Sequence, residues 1–213
     1  MDSNLAAENL QTIRTLMERS ALYRRALAPI MIYAGALGSV GALAGRWLQI
    51  ESSRSFILYW ASVAAVALLG SLLLVRRQAL KDAEPFWSPP TRRVTQAFLP
   101  ALVAGLLISA ATLARAGSNH LDIDSAGTIR WLPLAWVILY GCGLHAAGLF
   151  MPRGMKLFGW ALILGACAVF AAGMPGDLRR LDYAHGIMGC FFGALHLAYG
   201  IYLYLTESRR NET

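Results

Sequence analysis

Two histidines have the side chains best suited to chemistry in an otherwise apolar setting. His196 lies in YAHGIMGCFFGALHLAYG, residues 183–200, and His145 lies in YGCGLHAAGLF, residues 140–150. Imidazole can ligate a metal, relay a proton or bond two neighbours near neutral pH. At about 100° per residue, Gly186, Gly189, Gly193, His196 and Gly200 share a helical stripe about 80° wide. Gly141, His145 and Gly148 share one face of their own segment in the same way. Two imidazoles on facing helices could hold a haem b iron from both sides, with the glycines leaving room for the porphyrin. The plainer expectation is that the glycines pack helices and the histidines hydrogen-bond across them. A histidine-based pH or ligand sensor is a third reading. His185, beside Asp182 and Tyr183, is expected at the outer boundary in contact with water.

Other catalytic patterns are missing. There is no H-E-x-x-H, no G-x-S-x-G and no glycine-rich phosphate loop opening a helix. No Asp, Glu, Lys or Arg falls at the centre of an apolar run, which argues against an ion-coupled transporter or an aspartyl intramembrane protease. No catalytic residue and no metal site is assigned. His120, Asp122 and Asp124 cluster in the segment 114–130, but a solvated polar loop accounts for them. Cys142, Cys167 and Cys190 form no C-x-x-C pair and read as small buried hydrophobes.

The elements that must position these residues are apolar runs of about the 20 residues a bilayer core requires. Of the 213 residues, 57% are hydrophobic and 15% charged, well below the ~25% charge of soluble domains. The expected fold is all-α: a polytopic membrane protein with six transmembrane helices over residues 26–48, 56–75, 95–113, 131–150, 157–174 and 185–205. A cytoplasmic amphipathic helix, residues 4–25, precedes them, with Ala6, Leu10, Ile13, Met17 and Ala21 forming its apolar stripe. Residues 206–213 form a cytoplasmic tail. Gly41 and Gly45 make a G-x-x-x-G in the first span, extended by Gly38, and small residues of this kind let helices approach closely in lipid. Span six is expected to pack along its glycine stripe against span four or span one.

Placing the amino terminus inside puts 13 of the 19 basic residues in inner segments and six in outer ones, so both termini should be cytoplasmic. The same rule explains the net charge of +7 without nucleic acid. Trp47, Trp60, Trp87, Trp131 and Trp160 fall near the expected interfaces, as an aromatic belt would. The inner loop, residues 76–93, contains EPFWSPP. Pro85, Pro89 and Pro90 stiffen it, while Phe86 and Trp87 could enter the lipid interface or a partner.

Four phrases resemble a family of bacterial inner-membrane proteins of about this length: TIRTLMERSALYRRALAPI, EPFWSPPTRRV, YGCGLHAAGLFMPRGMKLFGW and MGCFFGALHLAYGIYLYLTE. The resemblance implies a bacterial inner membrane and carries no activity, cofactor or site residue with it. The first functional expectation is therefore a non-catalytic integral membrane protein acting by interaction, as a sensor, regulatory or assembly subunit. Its partners would be the lipid bilayer and a protein that meets helix 4–25 or loop 76–93, or further copies of itself. The alternatives are a b-type haem redox subunit using His145 and His196, and a small-molecule channel or transporter.

Overall fold

A computed structural model describes residues 27–50, 52–81, 83, 85–87, 89–118, 125–151, 153–173 and 180–211. All regular structure among them is helical: α1 (Leu27–Trp47), α2 (Ser53–Lys81), α3 (Pro89–Ser118), α4 (Ser125–Ala147), α5 (Arg153–Ala172), α6 (Arg180–Met188), a π-helical stretch (Gly189–Ala194) and α7 (Leu195–Asn211). Five helices are long and apolar enough to cross a membrane: Leu27–Trp47, Ser53–Lys81, Thr91–Arg115, Gly154–Ala172 and Asp182–Thr206. Trp131–Ala147 is apolar but shorter. This arrangement is compatible with a multi-pass membrane protein. The amphipathic helix expected at 4–25 and the cluster of His120, Asp122 and Asp124 lie outside the described residues.

One connection is shorter than the sequence suggests. The loop expected over 76–93 is largely helix, because α2 continues to Lys81 and α3 starts at Pro89. Arginine, glutamine and lysine propagate a helix well. Proline at a helix start forfeits only an N–H that would have had no intrahelical partner. Phe86 and Trp87 remain at the corner, their ring centroids 6.5 Å apart, with Trp87 well exposed. At the end of α5, Gly173 adopts a positive φ of 74° and closes the helix, a conformation that favours glycine.

The rod formed by α6, the π stretch and α7 is the centre of the bundle. On one side it meets α1 in an antiparallel seam where backbones nearly touch. A Cβ at Gly193 would lie 2.9 Å from the Ser39 nitrogen, and one at Gly200 would lie 2.7 Å from the Ile32 nitrogen. A Cβ at Gly35 would lie 2.9 Å from the Gly193 oxygen, and one at Gly38 would strike the Phe192 carbonyl. Small residues permit this approach, and dispersion across the seam replaces the hydrophobic drive that lipid cannot supply. On the other side, Ile187 and Phe191 join Leu134, Val137 and Leu144 of α4 and Met155, Phe158, Leu162 and Ala166 of α5 in the main core. A second cluster unites Ala42 of α1, Phe56 and Trp60 of α2, and Ala184 and Met188 of α6.

The π stretch explains where the glycine stripe departs from simple helical arithmetic. The rod touches α1 through His185, Gly189, Gly193, Leu197 and Gly200, opposite Gly45, Ala42, Ser39, Gly35 and Ile32. The first three steps along the rod are four residues each. A regular α-helix drifts about 40° with every four-residue step and would carry these positions off the seam. The wider π turns absorb the drift. Gly186 is consequently off the seam: it is exposed, and a Cβ there would meet nothing within 4 Å. His196 is turned away from α1 toward α4 and α5.

Gly41 also sits elsewhere, against Trp60 and Val63 of α2 at ordinary contact distances. Cys142, Cys167 and Cys190 face outward rather than inward. In an apolar surrounding a small hydrophobe suits either face of a helix, so residue type alone does not choose.

Gly193→Leu and Gly38→Leu should each destabilise the fold by about 1–3 kcal/mol or more through overpacking. Gly186→Leu should melt like the wild type, and thermal melting in detergent compares the three.

Candidate functional site

The two buried imidazoles of the central rod, His185 and His196, occupy different ends of it and have different surroundings. Each is only 1% exposed.

His196 follows directly from the π stretch. The Leu195 N–H reaches back five residues to the Cys190 oxygen, so the Phe191 carbonyl loses the donor that a regular helix would provide. His196 Nδ1 lies 2.8 Å from that carbonyl oxygen. A carbonyl can only accept, so Nδ1 carries the hydrogen and donates it. The lone pair of the neutral ring is then on Nε2, which accepts from the Tyr140 hydroxyl of α4 at 3.1 Å. Three aromatic rings enclose the imidazole: Phe158 at 4.9 Å, Tyr140 at 5.4 Å and Phe192 at 5.9 Å between centroids. Phe158 also stacks on Tyr199 at 4.6 Å and 7°. His196 therefore repairs the break in its own helix and ties that helix to α4.

His185 was expected to be solvated, and the structure corrects this. Its ring lies among Phe56 at 5.0 Å, Tyr59 at 5.9 Å and Trp60 at 5.9 Å. The Trp60 indole N–H donates to Nδ1 at 3.1 Å. In the neutral ring the hydrogen is then on Nε2, which is buried with no hydrogen-bond partner among the described residues. Gly45 is the physical reason the ring can be there: a Cβ at that position would lie 2.6 Å from Nδ1. One member of the G-x-x-x-G thus makes room for an imidazole rather than for a facing backbone. The Tyr59 hydroxyl caps the arrangement by donating to the Gly41 carbonyl. Arg46 and Asp182 form a half-exposed ion pair at 3.7 Å at the same end, worth at most about 1 kcal/mol. Trp60, expected in an interfacial belt, is instead 2% exposed in this cluster, while Trp47, Trp87, Trp131 and Trp160 are at least 40% exposed.

His145 belongs to a third place. It sits against Trp160 of α5 with centroids 5.4 Å apart, and its buried Nδ1 has no hydrogen-bond partner among the described residues. The glycines of α4 serve α5: a Cβ at Gly141 would lie 2.9 Å from the Gly159 oxygen, and one at Gly148 2.9 Å from the Lys156 nitrogen. The glycine stripes of spans four and six therefore serve different seams. Among the described residues, no hydrogen bond or ring contact joins His145 to His196.

This geometry does not fit a haem between the two. Axial ligation needs a free imidazole nitrogen facing an open slot. Both nitrogens of His196 are engaged and its faces are covered by rings.

Sequence reasoning missed Tyr140, Trp60, Gly35 and Gly159. A usable signal was present for the first two. A buried tyrosine O–H or tryptophan N–H needs an acceptor, and an imidazole within the same apolar surroundings can supply one. No family model, curated protein or solved structure matches this chain.

His196→Phe should cost about 2–3 kcal/mol, because it leaves both the Phe191 carbonyl and the Tyr140 hydroxyl without their bonds. Tyr140→Phe should cost about 1 kcal/mol. A double-mutant cycle by denaturation in detergent should show coupling of at least about 0.5 kcal/mol between the two positions.

Proposed function

We propose that this chain is a non-catalytic, multi-pass protein of a bacterial inner membrane that works by interaction, as a sensor, regulatory or assembly subunit. Both termini lie on the cytoplasmic side in this proposal, and α4 serves as the sixth span. The reading rests on how unevenly the spans are buried. The most apolar window of α1 is 39% buried and that of the central rod 33%, but those of α2 and α3 are only 11% and 6% buried. The interior is thus assembled mainly from α1, α4, α5 and the rod, while α2 and α3 carry their leucines outward. Leu69, Leu73, Leu106 and Leu107 are each more than 60% exposed.

An apolar face of this size is satisfied by lipid or by another apolar helix. The exposed Trp87 lies between these two helices, at the end where α2 finishes and α3 begins. A tryptophan at that position supplies a rigid, amphipathic contact for an interface. Around the central rod, the α1 seam leaves no space for a methyl group at Gly38 or Gly193, which favours a scaffold over a conduit.

A photo-crosslinking residue placed at Trp87, Leu69 and Leu106 in cells should give a discrete protein adduct at all three positions. The same residue at Leu164, on the outward face of α5, should give lipid adducts. Lipid adducts at all four positions would contradict the proposal.

A further inference from the structure

A cavity of about 160 Å³ opens at the end of the bundle where α1 begins and α2 finishes. It is lined by Pro29 of α1 and by Leu74, Arg77, Gln78 and Lys81 of α2. The four α2 positions are spaced by three, one and three residues, so they form a single stripe along the last two turns. That stripe grades from apolar to basic. Leu74 is nearest the middle of the helix, and Arg77 and Lys81 follow toward its end. Among the described residues, no ion pair engages either cation.

We propose that this cleft binds the phosphate of an anionic phospholipid headgroup. A membrane-spanning bundle exposes the ends of its helices at headgroup depth. Basic pockets between transmembrane helices at that depth suit anionic headgroups. Arg77 offers a planar fork of donors that matches a phosphate oxygen pair, and Lys81 adds a point charge beside it. Leu74 and Pro29 give the glycerol and first methylenes of the lipid an apolar wall. A free phosphate ion would use the two cations but leave that wall unused, so the grading of the stripe favours the lipid. This lipid site rests on the membrane-spanning reading above and requires no protein partner at the outward faces of α2 and α3.

The test is native mass spectrometry of the purified full chain with added lipid. Phosphatidylglycerol should remain bound to the wild type, whereas diacylglycerol, which lacks the phosphate, should not. The double variant Arg77→Gln/Lys81→Gln should bind phosphatidylglycerol about tenfold more weakly. Both residues are exposed, so its melting temperature should match the wild type. A control, Arg92→Gln/Arg93→Gln on α3, removes the same charge elsewhere and should bind like the wild type. Equal binding by the Arg77/Lys81 variant, an equal loss in the Arg92/Arg93 control, or equal retention of diacylglycerol would overturn the proposal. Displacement of the lipid by millimolar inorganic phosphate would also overturn it.

Discussion

The contact on which the rest of the structure depends is the seam between α1 and the central rod. At Gly35, Gly38, Gly193 and Gly200 the two helices are so close that a single added carbon would meet backbone atoms. In lipid there is little gain from hiding one apolar side chain behind another, so close packing has to supply the attraction. Glycine is what makes such an approach geometrically available. Once α1 is fixed on the rod, α2 follows through the hydrogen bonds from Tyr33 to the Val66 carbonyl and from Tyr59 to the Gly41 carbonyl. On the far side, α4 and α5 close over the rod through Ile187 and Phe191.

Maintaining that seam has a consequence for the backbone. Contacts repeating every four residues require the rod to be underwound, and the π stretch from Gly189 to Ala194 provides this. The wider turn leaves the Phe191 carbonyl short of its usual donor, and an unmatched carbonyl in apolar surroundings costs about 1–3 kcal/mol. His196 answers that need from within the same helix and uses its second nitrogen to accept from Tyr140. A histidine in the middle of an apolar helix is thus accounted for by the helix itself. His185 contrasts with it. One nitrogen accepts from Trp60, while the other is buried without a partner, so this end of the rod holds the less satisfied of its two imidazoles.

The helical, membrane-compatible character of the chain was legible because apolar run length is a direct physical requirement of a bilayer. The close packing of Gly189, Gly193 and Gly200 was legible because they recur at helical spacing. The position of Gly186 was not, since a constant turn per residue cannot anticipate a π stretch, which depends on tertiary contacts. His185 was misplaced because Asp182 and Tyr183 beside it look like a solvated boundary, while the pocket that receives it is made by a glycine on α1, 140 residues earlier. Pairing His145 with His196 assumed that two glycine faces meet each other. They meet α5 and α1 instead, and nothing in the local sequence specifies which helix a small-residue stripe will choose. Tyr140 and Trp60 carried the more useful information, because each brings a polar hydrogen that must find an acceptor.

Helix α1 lies antiparallel on the rod, in register through Ala42 and Gly189, and the rod is underwound at the π stretch. Solid-state NMR of the full chain in bilayers, with carbon-13 in alanine methyl and glycine α positions, tests this without perturbing the seam. This packing should give a strong cross peak between the Ala42 methyl and the Gly189 α carbon, and none between Gly186 and any residue of α1. A cross peak from Gly186 to α1, with Gly189 showing only neighbours in its own helix, would contradict it.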